Sequence, residues 1–71
     1  MTKVEYIRCE KLMEEAIQKA KQANEEFNKA ESEKDITNES ICHLGYADGI
    51  NQTLVCIGFK HERMKELGDL L

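Results

Sequence analysis

The apolar positions in the first half of the chain recur at alternating spacings of three and four residues. This is the a/d pattern of a heptad repeat, and it predicts a helix that packs along one seam with left-handed supercoiling. Half of its positions are alanine, which lets a partner helix approach closely but buries little apolar area. The seam consists of Tyr6, Cys9, Met13, Ala16, Ala20, Ala23, Phe27 and Ala30.

The ends of this first helical arm are also marked in the sequence. Thr2 and Glu5 have the spacing of a capping box, and no glycine or proline follows before Ser32. Asp35, Thr37 and Asn38 are alternative N-cap residues for a second helix. We therefore predict a first arm over residues 3–32 and a turn over residues 33–37.

A second seam with the same alternating spacing follows the turn and predicts a second arm over residues 38–67. Two arms of nearly equal length, each roughly 45 Å at 1.5 Å per residue, fold back on each other as an antiparallel pair. Gly68 has the position of a residue that ends the arm. The second seam consists of His43, Ala47, Ile50, Leu54, Ile57, His61, Met64, Gly68 and Leu71.

The run from Leu54 to Phe59 contains no polar residue. A helix that is apolar around its whole circumference is contacted from several sides. The alternative is a buried strand over residues 53–59, since β-branched and aromatic residues occur there. The charged helix formers that follow favour the helix.

Antiparallel pairing places the apolar start of the first arm beside this run, so one end of the hairpin is too apolar for a lone pair of helices. We therefore expect an all-α, single-domain chain over residues 1–71, a two-helix antiparallel hairpin that associates into a helical bundle or a larger homo-oligomer. The residues predicted at the oligomer interface are Val4, Ile7, Leu12, Ile17, Leu54, Val55, Ile57 and Phe59.

Gly45 and Gly49 lie four residues apart, on one face of the second arm. Together with the alanines of the first seam, they predict close helix packing at Ala16, Ala20, Ala23, Gly45 and Gly49. The alternative is a locally weak or kinked helix, because each interior glycine costs about 1 kcal/mol relative to alanine.

Composition narrows the class of protein. The three cysteines, Cys9, Cys42 and Cys56, are far apart and form no disulfide framework. No apolar leader follows a basic start and no long apolar run occurs, so we expect a cytoplasmic chain with reduced thiols and no membrane partner. A net charge of −4 without a basic face disfavours nucleic acid as a partner.

The residue types needed for catalysis do not occur in useful spacings. Cys42, His43, Cys56 and His61 lack zinc-site spacing, and His61-Glu62 is followed by Lys65 where a metalloprotease needs a second histidine. The four glycines are scattered and form no phosphate loop. We expect no enzyme activity, no metal and no cofactor.

One basic cluster occurs near the C-terminus, at Lys60, His61, Arg63 and Lys65. One interpretation is a solvated helix end that complements its own dipole. The other is an anion site between protomers, with Tyr6, Tyr46 and Phe59 as a stacking surface beside it.

These features favour a small oligomeric interaction protein that binds and regulates, or inhibits, another macromolecule. Compact proteins of this kind are common among phage and mobile-element products, which is an analogy only. The acidic clusters would then meet a basic surface on a partner protein. The alternative function is a binder or sponge for a nucleotide-like small molecule, with sites between protomers.

Overall fold

The computed structural model describes residues 1–29 and 38–71. These residues form three α-helices and no strand: α1 is Lys3–Lys29, α2 is Asn38–Cys56 and α3 is Met64–Leu70. The all-α class is therefore confirmed, and the strand alternative for residues 53–59 is wrong. The predicted turn over residues 33–37 and the last residues of the first arm, with Ala30, lie outside the described residues.

α1 begins where the capping residues predicted it. The Glu5 backbone N–H donates to Thr2 Oγ1 at 3.2 Å, and the Thr2 hydroxyl donates to Glu5 Oε1 at 3.0 Å. The Tyr6 N–H donates to the Thr2 carbonyl at 2.9 Å, which is the first turn of the helix. One side chain thus satisfies a backbone donor that the helix itself leaves unpaired.

The alanine seam of α1 forms the centre of the core. Met13 and the three alanines Ala16, Ala20 and Ala23 expose no surface, and Cys9 is also buried. Ala47 and Leu54 of α2 belong to the same apolar cluster, with Ile50 packed against it. The middle of both predicted seams is therefore confirmed. At the ends of the first seam Tyr6 is exposed and Phe27 is half-buried.

The second arm is not one continuous helix, which corrects the two-helix prediction. α2 ends at Cys56 in a pair of hydrogen bonds, from Phe59 N–H to the Leu54 carbonyl at 3.0 Å and from Gly58 N–H to the Val55 carbonyl at 3.1 Å. This is a Schellman motif, and its C′ residue needs a left-handed backbone. Gly58 supplies it with φ +78°. The glycine that ends this helix is therefore Gly58 rather than Gly68.

The Schellman motif also redirects the apolar residues after it. Phe59 and Leu54 are both buried, as the hydrophobic contact of this motif requires. Ile57, predicted on the seam, is 54% exposed instead. The second seam is therefore interrupted after Leu54. Its later position Met64 still packs against the core, but Leu67 of α3, which is not a seam position, is the completely buried residue there.

α3 runs parallel to α1 and antiparallel to α2. Its beginning lies near the N-terminal half of α1, where His61 contacts Glu10. Its end lies further along α1, where Asn24 Nδ2 donates to the Leu70 carbonyl at 3.1 Å. The described helices thus form an up-down-up arrangement in which α3 covers one side of the α1·α2 pair.

Substitution of Ala20 by leucine tests the close contact between α1 and α2. Because Ala20 is completely buried, the extra volume should lower the free energy of unfolding by about 1–3 kcal/mol. Urea unfolding followed by circular dichroism measures the change. Gln18→Leu, at an exposed position on the same helix, is the control and should change stability by less than about 0.5 kcal/mol. Equal effects of the two variants would contradict the packed seam.

The glycines of the second half should respond to alanine in opposite directions. Gly58→Ala should destabilise the chain by about 1–2 kcal/mol, because its backbone is left-handed. Gly68→Ala should stabilise it by about 0.5–1 kcal/mol, because Gly68 is inside α3 and an added Cβ meets nothing within 4 Å. Thermal unfolding of both variants checks the signs. A stabilised Gly58→Ala variant would contradict the Schellman motif.

Candidate functional site

The side of the α1·α2 pair that faces away from α3 carries an apolar groove. Leu12 projects from α1 roughly opposite to Glu10, the residue that contacts the α3 side, because two residues span about 200° of helix. The groove has a volume of about 370 Å³ and is lined by Leu12, Gly45, Tyr46, Gly49, Ile50, Thr53 and Leu54. Leu12 is 42% exposed and Tyr46 is 46% exposed. This groove is a concave, mostly apolar surface to which both helices contribute.

Hydrogen bonds fix the polar groups at the groove wall. The Tyr46 hydroxyl donates to Glu15 Oε1 at 2.9 Å, which holds the aromatic ring across the two helices. The Thr53 hydroxyl donates to the Gly49 carbonyl at 2.9 Å, so its methyl group is left to the groove. The hydrogen bond to Glu15 raises the pKa of Tyr46, and desolvation and the carboxylate charge act in the same direction. The groove therefore presents carbon rather than free polar atoms.

A second cavity lies on the opposite flank of α2, beside the end of α3. It has a volume of about 410 Å³ and is lined by Ile41, Leu44, Gly45, Asp48 and Leu71. Ile41 and Leu71 are exposed there. This cavity contains a carboxylate, and it is therefore less uniformly apolar than the groove.

The structure divides the eight residues predicted at an oligomer interface into two groups. Ile17, Leu54 and Phe59 are buried in the core of this chain, which corrects their assignment, since they already contact its own helices. The other five are exposed, so their assignment to an interface with a second molecule stays a prediction: Val4, Ile7, Leu12, Val55 and Ile57. Tyr46 and Ile41 are exposed apolar residues that the interface prediction missed.

The predicted close-packing residues also divide into two groups. Ala16, Ala20 and Ala23 are buried against the other helices of the chain. Gly45 and Gly49 are exposed, and an added Cβ at either position meets nothing within 4 Å. No helix of the described chain lies on these glycines, so their packing role stays a prediction that needs a second molecule.

The predicted anion cluster is a network of mixed charge. His61 Nε2 lies 3.1 Å from Glu10 Oε2, and Arg63 lies 3.8 Å from Glu14 and 3.3 Å from Glu66. The remaining two members of the cluster, Lys60 and Lys65, are exposed. His61 and Arg63 are the inner members of the cluster. An anion that approached them would meet the three carboxylates that they already contact.

Glu66 lies at the centre of that network. Hydrogen bonds from Lys21, whose Nζ is 3.1 Å away, and from Arg63 lower the pKa of Glu66. The charged form is thus favoured, and its stabilising effect is present above the ordinary glutamate pKa and is lost as the pH falls below it. Of these two contacts, the one with Lys21 joins α3 to α1.

The aromatic surface predicted beside the basic cluster is partly assembled. The ring centroids of Tyr6 and Phe59 are 5.3 Å apart, and Phe59 stacks on His61 at 6.0 Å with an interplanar angle of 18°. Phe59 is buried, so its face is already occupied. Tyr46 does not join them, because it lies against Glu15 in the groove.

The cysteines in the described residues are not joined in disulfides. All three thiols are free, with Cys9 buried and Cys42 and Cys56 exposed. Residues 1–29 and 38–71 contain no cluster of three side chains suited to a metal ion. No helix within those residues is long and apolar enough to cross a membrane.

Comparisons with family models, with curated proteins and with solved structures find no match for this chain. Its function is therefore argued from its own surface. The feature that distinguishes this surface is the uncovered apolar groove between α1 and α2.

Substitution of Glu15 by glutamine tests the contact at the groove wall. In a Tyr6→Phe background, Tyr46 is the only phenol, and Glu15→Gln should make it ionise at a lower pH because the charged acceptor is removed. Ultraviolet absorbance of the phenolate measures the titration. Glu14→Gln is the matched control, since Glu14 lies near Arg63 instead. Identical titration in the Glu15→Gln and control variants would exclude this hydrogen bond in solution.

Proposed function

We propose that the chain is a small helical interaction protein that self-associates through the groove between α1 and α2 and, in that form, binds and regulates another macromolecule. The observation that supports this best is the exposure of Leu12 and Tyr46 in a groove that also contains the open Gly45 and Gly49. Contiguous apolar surface of this kind on a small chain marks an interaction site.

The charge distribution favours a second copy as the occupant of the groove. Between Ile41 and Cys56, α2 contains Asp48 as its only aspartate or glutamate and contains no lysine or arginine. α1, in contrast, carries charged residues throughout its length. An uncharged helix face offers no charge for a strongly charged partner to recognise, and the face of α2 supplied by another copy is uncharged in the same way.

The two glycines set how such a copy would approach. Because Gly45 and Gly49 are exposed and carry no side chain, a helix lying across them reaches the backbone of α2 directly. Leu12 and Tyr46 then supply the apolar side chains at the edges of the contact. Close helix packing at small residues combined with larger flanking residues is a recurrent arrangement for helix pairs.

Self-association through the groove would leave the charged surface of the protein uncovered, so that a macromolecular partner can bind there. The outward carboxylates of α1 and the net charge of −4 suit a partner protein with a basic surface. Binding of that kind would block the basic surface from its own ligands and would thereby regulate or inhibit the partner.

The alternative function, a binder for a nucleotide-like anion, receives less support. The inner members of the basic cluster, His61 and Arg63, already contact Glu10, Glu14 and Glu66. A phosphate group there would have to displace these carboxylates or be repelled by them. We therefore place the interaction function first.

Native mass spectrometry and light scattering after gel filtration test self-association. The protein should be a dimer or larger oligomer at micromolar concentration, and Leu12→Glu should convert it to a monomer with unchanged helicity. Gln18→Glu adds the same charge at another exposed position of α1 and should leave the oligomer intact. A wild-type monomer throughout the accessible concentration range would refute self-association.

Two further variants locate the contact. Gly49→Leu should preserve the fold, because the position is open, but should abolish association if a helix lies on it. Ile57→Asp changes an exposed residue at the end of α2 and should leave association through the groove unaffected. If Ile57→Asp dissociates the oligomer while Leu12→Glu and Gly49→Leu do not, the interface is at the apolar end of the helices and the groove proposal is wrong.

A further inference from the structure

The outward side of α2 carries two exposed thiols at equal distances from an exposed glycine. Cys42 precedes Gly49 by seven residues and Cys56 follows it by seven, and all three are exposed. Seven residues fall about 20° short of two full helical turns, so the three residues lie on one line along the helix. Ala47, two residues before Gly49, is completely buried, and two residues span about 200°. The line therefore points away from the core of the chain.

Seven exposed residues form this outer face of α2, and none of them is charged. The only aspartate or glutamate between Ile41 and Cys56, Asp48, lies about 100° from Gly49 around the helix axis. Four of the seven residues also line the apolar groove, so a helix that lies on the outer face covers that wall of the groove as well. The outer face consists of Cys42, Gly45, Tyr46, Gly49, Gln52, Thr53 and Cys56.

The polar side chains of the outer face already have hydrogen-bond partners within the chain. The Gln52 amide donates to Asp48 Oδ2 at 3.0 Å, and the Thr53 hydroxyl donates to the Gly49 carbonyl at 2.9 Å. The Tyr46 hydroxyl is bonded to a carboxylate of α1. A second molecule that covers the outer face therefore need not break these bonds, which keeps the cost of burying the polar groups low.

We propose that a second copy of the chain lies on this outer face with its α2 antiparallel, about a two-fold axis at Gly49, so that Cys42 of each copy meets Cys56 of the other. This orientation rests on the self-association proposed above. In such a pair, the residue seven positions before Gly49 faces the residue seven positions after it in the second copy, and the contact occurs twice. Equal spacing of the thiols matters only in this orientation, since in a parallel pair each residue faces its own counterpart.

The properties of α2 favour an antiparallel and close contact. The two ends of a helix carry opposite partial charges, so antiparallel helices bring unlike ends together. An added Cβ at Gly49 meets nothing within 4 Å, and a glycine at the centre lets the two backbones approach closely. The spacing of three and four residues on the outer face is typical of helices packed at about 20°. At this small angle the contact continues along about four turns, to Cys42 at one end and Cys56 at the other.

A disulfide between these two cysteines must join two copies. Within one copy they lie on opposite sides of Gly49, about 21 Å apart at 1.5 Å per residue, whereas a disulfide needs Cα atoms about 4.4–6.8 Å apart. Between helices whose axes are about 8–10 Å apart, facing Cα atoms are roughly 4–6 Å apart, which is suitable. The third thiol, Cys9, is buried in the core of its own chain.

Thiol–disulfide exchange with a low-molecular-weight disulfide, such as glutathione disulfide, forms this bond. The Cys42 thiolate attacks one sulfur of the small disulfide, which gives a mixed disulfide and releases one small thiol with the proton from Cys42. The thiolate of Cys56 in the second copy then attacks the Cys42 sulfur, and the second small thiol leaves with the proton from Cys56. The two protein thiols lose two electrons, which reduce the small disulfide to two thiols. Oxidation thus locks the self-associated form, and excess small thiol reverses the lock.

Two single-site variants test the orientation. Cys56→Ser keeps the thiol at Cys42, and Cys42→Ser keeps the thiol at Cys56. Each variant alone, and an equal mixture at the same total concentration with one of them labelled with ¹⁵N, is treated with glutathione disulfide at about pH 8. Mass spectrometry under non-reducing conditions should show the mixed covalent dimer forming at least about tenfold faster than either homodimer, because assembly holds the two thiols together at roughly millimolar effective concentration. Faster formation of a homodimer would overturn the antiparallel orientation.

The wild-type protein gives a second measurement that needs no variant. Cleavage before aspartate residues separates Cys42 from Cys56, because Asp48 lies between them. After oxidation, the main disulfide-linked pair of peptides should contain Cys42 and Cys56. A predominance of pairs that contain the same cysteine twice would contradict the proposal.

Light scattering in reducing buffer separates the failure of this orientation from the failure of self-association. A reduced dimer whose oxidation does not favour the Cys42–Cys56 bond would overturn the orientation and leave self-association intact. A reduced monomer would refute self-association, and the orientation with it. Circular dichroism of both serine variants should match the wild type, since both positions are exposed.

Discussion

The arrangement of the whole chain depends on the close contact between α1 and α2 through completely buried alanines. Ala16, Ala20 and Ala23 contribute little apolar area, so this contact fixes the distance between the helices more than it stabilises them. The larger buried side chains, Met13 and Ile17 of α1 with Leu54 of α2, supply most of the apolar volume. A two-helix core of this composition gains further cover from the rest of the chain, and Phe59 and Leu67 provide it.

Within the described residues, the chain after α2 packs on only one side of the α1·α2 pair. The left-handed backbone at Gly58 ends α2 and turns the chain so that Phe59 packs inward and α3 returns along α1. The ion pairs of Lys21 with Glu66 and of Arg63 with Glu14 then connect this part of the chain to α1. The other side of the helix pair has no third helix within the described residues, and there the apolar groove remains open. The asymmetry of the surface is thus a consequence of the turn.

The two sides also differ in chemistry, and this difference connects the fold to the proposed function. On the side of α3, both His61 and Arg63 of the basic cluster contact carboxylates of α1. On the open side, carbon atoms of Leu12 and Tyr46 face solvent beside exposed glycines, and the half-buried Ile50 lines the same groove. A protein with these two surfaces is suited to associate with itself through the apolar surface and to bind partners through the charged surface.

The local sequence determined the features that depend on neighbouring residues: the all-α class, the start of α1 at Thr2, and the burial of the alanine seam. Periodicity and capping are local properties, so they are visible without a structure. The end of α2 also depends on nearby residues, Leu54, Gly58 and Phe59. The predicted seam ran through Ile57, however, and so favoured an uninterrupted helix. Only the tertiary structure decided which apolar residues face the core and which face solvent, because one turn at Gly58 changes the face of every later residue. For the same reason it alone showed that the basic cluster meets carboxylates of α1, which lie some fifty positions away in the chain.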